Sequence, residues 1–289
     1  MGEAGRPSLA RRTLLASLLA SPALAACQRT RIADLPLRLV ESYPIVPAVI
    51  AGRLVSLLLD TGAQGMLLTP AIAEALRLPL VGTTRIYGTG GSQDVRVVRV
   101  AGLRLGGVAM PDQLSPVAPL PLVLAMEPPL AGLLGASLLS RFDLELDVPA
   151  ARVTLWSPDE CPLPPGTHLP LDISRAGEVF CLVNVNGQPL LAQLDTGSRA
   201  TILTAQTARR LGLGAPISAN TAAGVDGERL PSGHAVVRLA LGKLPAADTP
   251  VTIAPIRLER GDLLLGLDVL ARFRVFIGYA QGVLVLNPV

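Results

Sequence analysis

The sequence predicts a mainly β protein built from two tandem lobes with short helices, the lobes related by a pseudo-twofold axis. Three observations predict it. The chain repeats itself: Asp60-Thr61-Gly62-Ala63-Gln64-Gly65-Met66-Leu67-Leu68-Thr69 is matched by Asp195-Thr196-Gly197-Ser198-Arg199-Ala200-Thr201-Ile202-Leu203-Thr204, and later blocks recur in the same order. Segments rich in Val and Leu show frequent period-two alternation. Glycine and proline are abundant, 28 and 26 of 289 residues, which suits many short strands joined by turns.

Taken from the N-terminus, Arg11 and Arg12 precede an apolar run, 13–26, that is too short to span a bilayer comfortably. A basic start, a short apolar stretch and small residues at its end describe a secretory signal. The run closes on Leu24-Ala25-Ala26-Cys27, which resembles a bacterial lipobox. That resemblance implies a signal peptide over 1–27, lipidation of Cys27 as the mature N-terminus, and attachment to a membrane through the lipid. Gln28 after the cysteine then favours the outer membrane, with the body on the periplasmic face. The arginine pair resembles a twin-arginine signal only in part, because Thr13-Leu14-Leu15 follows it. Twin-arginine and general export both stay open, as does cleavage elsewhere with Cys27 incidental.

Residues 28–35 are expected to be a tether, 36–156 the first lobe, 157–167 a linker and 168–289 the second lobe. Leu54–Leu59 reads as an apolar strand running into Asp60, and 188–194 as its counterpart before Asp195. The segments 94–105 and 234–241 are further strand candidates. Short helices fit 70–77, which opens with proline after Thr69, and 205–211. One more helical turn fits 136–141 and its counterpart 267–272. Between the lobes, Pro158, Pro162, Pro164 and Pro165 make a stiff, extended segment. Asp143, Glu145 and Asp147 alternate with apolar residues and read as the solvent face of a strand. Trp156 reads as a packing residue at the end of the first lobe.

Half of the residues are hydrophobic and 16% charged, so a sizeable core can form. Aromatics make up only 3%, which leaves Leu, Val and Ala to fill that core. Three arginines and one glutamate lie within 1–27, so the remainder carries +1 rather than the +3 of the whole chain. No basic stripe for nucleic acid remains. The apolar stretch 116–139 is broken by Pro119, Pro121, Glu127, Pro128 and Pro129 and does not read as a membrane span. Cys161 and Cys181 would be free to pair in an oxidising compartment, but sequence does not supply the geometry, and the question stays open.

The chemistry sits in the repeat. Each Asp-Thr-Gly follows an apolar strand, which delivers a carboxylate to the end of that strand, and glycine permits the tight turn behind it. Two carboxylates brought into contact cannot both ionise, so they share a proton. A capped structural turn that happens to repeat is the competing reading. Downstream, Leu133-Leu134-Gly135 with Arg141-Phe142 echoes Leu264-Leu265-Gly266 with Arg272-Phe273. His168 and His234 are the only histidines, no residues stand at metal-ligand spacing, and no Gly-x-Ser-x-Gly elbow is present. No metal and no cofactor are therefore expected.

This whole pattern resembles the retropepsin-like and pepsin-like aspartic proteases, most closely bacterial forms with two fused lobes and a lipoprotein-type signal. The resemblance implies that Asp60 and Asp195 are catalytic. It implies that Thr61 and Thr196 hydrogen-bond across the lobe interface, with Gly62, Gly197 and Ser198 supporting the dyad. Ala63 stands where the second copy has Ser198. The family covers its cleft with a hairpin, and Tyr87-Gly88-Thr89-Gly90-Gly91 stands at the corresponding distance, with Gly224, Asp226 and Gly227 in the second copy. Plain surface hairpins are the alternative. The implied activity is an aspartic endopeptidase acting on envelope proteins or peptides, as a monomer because both motifs lie on one chain. A catalytically inactive peptide-binding lipoprotein that retains the fold is the runner-up.

Overall fold

The computed structural model describes residues 1, 28–88, 91–120, 127–214, 218–223 and 229–289. Among them the strands form three sheets. The first half contributes a ten-stranded sheet, the second half an eight-stranded one, and strands of both halves share a six-stranded sheet. Among the described residues the helices are short: Pro70–Ala75, Ala136–Leu139, Ala205–Arg210 and Leu267–Leu270.

The repeat is visible in the backbone. Strand Tyr43–Ile50 turns into Arg53–Leu59 through Ala51 and Gly52, at φ 48° and 81°. Strand Val179–Val185 turns into Gln188–Leu194 through Asn186 and Gly187, at φ 52° and 84°. Two successive positive φ values are what a two-residue hairpin needs to follow strand twist, and Asn-Gly is its favoured sequence. Arg53–Leu59 then lies between its hairpin partner and the parallel strand Leu130–Leu134. Gln188–Leu194 lies likewise beside Leu263–Leu265. A strand enclosed in this way buries both faces, which is why Leu57, Leu58 and Leu59 run without alternation and are all buried.

The two halves join edge to edge. In the six-stranded sheet Asp143–Asp147 pairs with Phe273–Gly278, Leu144 opposite Ile277 and Leu146 opposite Val275. Outside this central pair lie Arg152–Trp156 and Val283–Pro288, and at the edges Arg31–Pro36 and Thr167–Pro170. The order reads the same from either end of the repeat, as a pseudo-twofold axis between the central strands requires.

Several expectations are corrected here. Residues 28–35, expected as a tether, instead supply most of the edge strand Arg31–Pro36. The segment 94–105 is not one strand: Ser92–Val100 ends, Gly102 turns at φ 68°, and Arg104–Leu105 restarts. Asp143, Glu145 and Asp147 are not a solvent face, since Asp143 and Asp147 are buried and Glu145 half-buried. Arginines from elsewhere reach them: Arg29 bonds Asp143 at 2.5 Å, and Arg274 bonds Asp147 at 2.8 Å. Glu145 accepts from the indole N–H of Trp156. Cys161 and Cys181 do not pair. Cys181 is a free thiol in the second-half core, opposite Ala192, and Cys161 is disulfide-bonded to another cysteine. Burial pushes the Cys181 thiol up to about 12, so it stays protonated and unreactive. Among the described residues no helix is long and apolar enough to cross a membrane.

Candidate active site

Each apolar strand ends on its aspartate because the parallel neighbour holds the chain at that point. Asp60 N–H donates to Leu134 O at 3.1 Å, and Asp195 N–H to Leu265 O at 3.0 Å. The chain then folds back over the glycine of the apolar-apolar-Gly block. A methyl group on Gly135 would strike the carbonyl of Gly65, and one on Gly266 the carbonyl of Ala200, so both positions require glycine. Past those glycines, Ala136 N–H donates to Ala63 O, and Leu267 N–H to Ser198 O. The two halves thus build the same loop from the same bonds.

The loops interlock. Thr61 N–H donates to Thr196 Oγ1 at 3.0 Å, and Thr196 N–H to Thr61 Oγ1 at 3.1 Å. The hydroxyls donate onward, Thr61 to Leu194 O at 2.8 Å and Thr196 to Leu59 O at 2.7 Å. Both threonines are buried. The aspartates interlock as well: a Cβ on Gly62 would lie 2.5 Å from Asp195 Cγ, and one on Gly197 2.5 Å from Asp60 Cγ. Each carboxyl therefore occupies the space that glycine leaves free in the opposite loop.

Asp60 Oδ1 accepts from the backbone N–H groups of Gly62 and Ala63, both at 3.0 Å. Asp195 Oδ1 accepts from Ser198 N–H at 3.0 Å. The Ser198 hydroxyl turns away to Ala200 O, so the support comes from its backbone, which Ala63 supplies equally well. Both carboxyls are held above the usual carboxylate range. Burial is the first cause for each, and for Asp195, raised well above its ordinary value, the charge of Asp60 and a hydrogen bond with it add to the effect. The two acids hydrogen-bond to each other and titrate as a unit that retains one proton.

The dyad lines a cleft of about 860 Å³, whose walls include Met66, Leu67 and Leu133 from the first half and Phe180, Gln193 and Leu264 from the second. Tyr87, Gly88 and Gly91 also line it, from the hairpin of Leu80–Tyr87 with Ser92–Val100. Gly88 N–H donates to Gly91 O at 2.8 Å, and Tyr87 is exposed. Thr89 and Gly90 lie outside the described residues, as do Gly224, Asp226, Gly227 and Cys27. His168 and His234 are exposed on strands. Among the described residues no group of His, Cys, Asp or Glu is placed to hold a metal ion.

Gln193 is a site residue that the motif does not disclose. Its amide donates to Gly62 O at 3.1 Å, bracing the first loop from the second half. The signal for it lay in the repeat, where Leu58 occupies the matching position.

Comparison with known families follows the same division of the chain. A family model for aspartyl proteases matches residues 46–138, and one for the aspartyl protease of gag polyproteins matches residues 181–272. No curated protein matches the chain significantly.

Proposed function

This chain belongs to the retropepsin-like aspartyl protease family, with one protease domain in each half, and from that premise we propose that it is an aspartic endopeptidase cleaving proteins or peptides of the bacterial envelope. The observation that carries the proposal is the meeting of Asp60 and Asp195, one from each half, at the wall of an open cleft. A structural turn has no need to set a half-buried acid, Asp195, against a buried one, Asp60, because such desolvation costs free energy unless a proton is shared. With one proton between them, the ionised carboxyl acts as general base on a water bound to the pair. The protonated one donates to the scissile carbonyl. The interlocked threonines hold both loops in register, and the peptide lies across the cleft. An idle peptide-binding module would not be expected to retain both acids.

The test is digestion of a peptide library by the soluble chain starting after Cys27. Cleavage is expected, with a bell-shaped pH profile weighted to the acidic side and no sensitivity to chelators. Asp60→Asn and Asp195→Asn should each abolish it. Near-normal turnover by either variant removes the assignment.

The reading of 1–27 as a lipoprotein signal forms part of the proposal, and it places the enzyme on the periplasmic face of a membrane, the outer one favoured. Cys27→Ser should release the protein from the membrane fraction or block its processing. Mass spectrometry showing a mature N-terminus well away from residue 27 rejects the anchor.

A further inference from the structure

The pseudo-twofold axis gives two similar loops but not two similar cleft walls. The hairpin turns Ala51-Gly52 and Asn186-Gly187 and the two aspartates share one offset. Tyr43, Ile45 and Leu58 therefore correspond to Glu178, Phe180 and Gln193, and the pairing of Ile45 with Leu58 to that of Phe180 with Gln193. Leu133 corresponds to Leu264 through the apolar-apolar-Gly blocks. In the first half the four positions form an apolar cluster of which only Leu133 reaches the cleft. In the second half all four line the cleft, and two of them are polar.

We propose that Glu178, with Gln193, forms a specificity pocket for a lysine or arginine of the substrate, immediately beside the scissile bond. Glu178 is half-buried, and among the described residues no cation pairs with it. Its Oε2 accepts from Ser174 Oγ at 2.9 Å, and its Oε1 only weakly from Gln193 Nε2 at 3.4 Å. A carboxylate offers about four acceptor positions, so capacity is left over. The Gln193 amide nitrogen is turned toward Gly62 O and Glu178, which leaves its carbonyl oxygen as a further acceptor. A wall of acceptors around an uncompensated, partly desolvated carboxylate matches a donor-rich cation and nothing apolar. Arg260, on the same wall of the cleft, is already engaged: it stacks on Phe180 at 4.8 Å and pairs with Asp172. Arg257 and Glu259, exposed at the rim, oppose each other in charge. Gln193 bonds the carbonyl of Gly62, the second residue after Asp60, which places the pocket next to the dyad. The first half has no counterpart, so the two sides of the cleft differ in chemistry.

The inference rests on the endopeptidase reading, and one experiment separates the two. Peptides differing at a single position beside the cleaved bond, with Lys, Gln, Leu or Glu there, are assayed with wild type, Glu178→Gln and Glu178→Tyr, the last restoring the residue of the first half. Binding of the Lys and Leu peptides to the inactive Asp60→Asn protein is measured by calorimetry. Wild type should prefer Lys over Leu by about tenfold or more in kcat/KM, the scale on which a polar pocket discriminates. Glu178→Gln should erase most of that preference, bringing the Lys peptide down toward the Leu peptide in kcat/KM. Cleavage with no basic preference, or a preference unchanged in Glu178→Gln, overturns the pocket alone. If no peptide is cleaved, the endopeptidase reading falls, and calorimetry still decides the pocket: equal affinity for the two peptides overturns it.

Discussion

Thr61 and Thr196 are bonded to each other in both directions, each backbone N–H donating to the other's hydroxyl at 3.0 and 3.1 Å. The bonds lie in the buried centre of the molecule, where water does not replace a lost partner. Thr196→Val keeps the shape and removes the hydroxyl, stranding Thr61 N–H and Leu59 O. A buried group left unpaired costs about 1–3 kcal/mol, so Thr196→Val should destabilise the fold by at least that much. Thr196→Ser keeps the hydroxyl and should lose far less. Denaturant unfolding of the pair of variants is the check.

Asp195 carries a pH dependence of stability whose sign follows from its raised pKa. The folded state keeps the proton to higher pH than the unfolded chain does, so it binds more protons between the two values. Stability from this group is therefore greatest below the unfolded value of about 3.9 and declines as pH rises through the folded one. Asp195→Asn removes the decline. Its melting temperature should rise relative to wild type as pH is raised from about 4 toward neutrality. A difference independent of pH would show that the carboxyl is not held protonated.

A methyl group at residue 62 competes for space with the opposite carboxyl. Gly62→Ala should push Asp195 out of the dyad and reduce kcat by orders of magnitude, and Gly197→Ala should do the same through Asp60. Circular dichroism should still show the β fold, since the strands before each loop are unaffected. Wild-type turnover by either variant would mean that the carboxyls do not act from the positions seen here.

Arg29 holds the buried Asp143 at 2.5 Å and lies over the ring of Phe276 at 4.7 Å. Replacing it with methionine leaves a buried carboxylate without its counter-charge, a change worth about 3–5 kcal/mol. Arg29→Met together with Asp143→Asn should recover much of that loss. Thermal unfolding of the single and double variants measures the coupling.

The join between halves lies within one chain, through Leu144 opposite Ile277 and its neighbours. Specific activity should therefore stay constant on dilution, and either half alone should be inactive. Sedimentation run beside the assay detects the contrary case, in which activity falls in step with dissociation of a dimer.

The paired Asp-Thr-Gly loops, the strands leading into them and the short helices were legible because each has a local signature, and the repeat supplied every signature twice. The six-stranded sheet was not. Nothing in the alternation of Asp143, Leu144, Glu145, Leu146 and Asp147 distinguishes a solvated face from one whose acids are met by Arg29 and Arg274. Those arginines are distant in sequence, and only the folded chain brings them together. Gln193 escaped notice for a different reason. A glutamine in an apolar strand looks like a tolerated exception until its amide is seen on Gly62 O, across the join.

If Cys27 carries the proposed lipid, the docking of Arg29 limits how far the folded body can stand from the membrane. Only Gln28 separates Arg29 from Cys27, and an extended residue spans about 3.3–3.6 Å. A lipid on Cys27 would leave almost no leash: the folded body would rest on the bilayer surface rather than sweep the space above it. Its prey would then be chains that approach within one molecular diameter of the membrane, such as the juxtamembrane stalks of neighbouring envelope proteins.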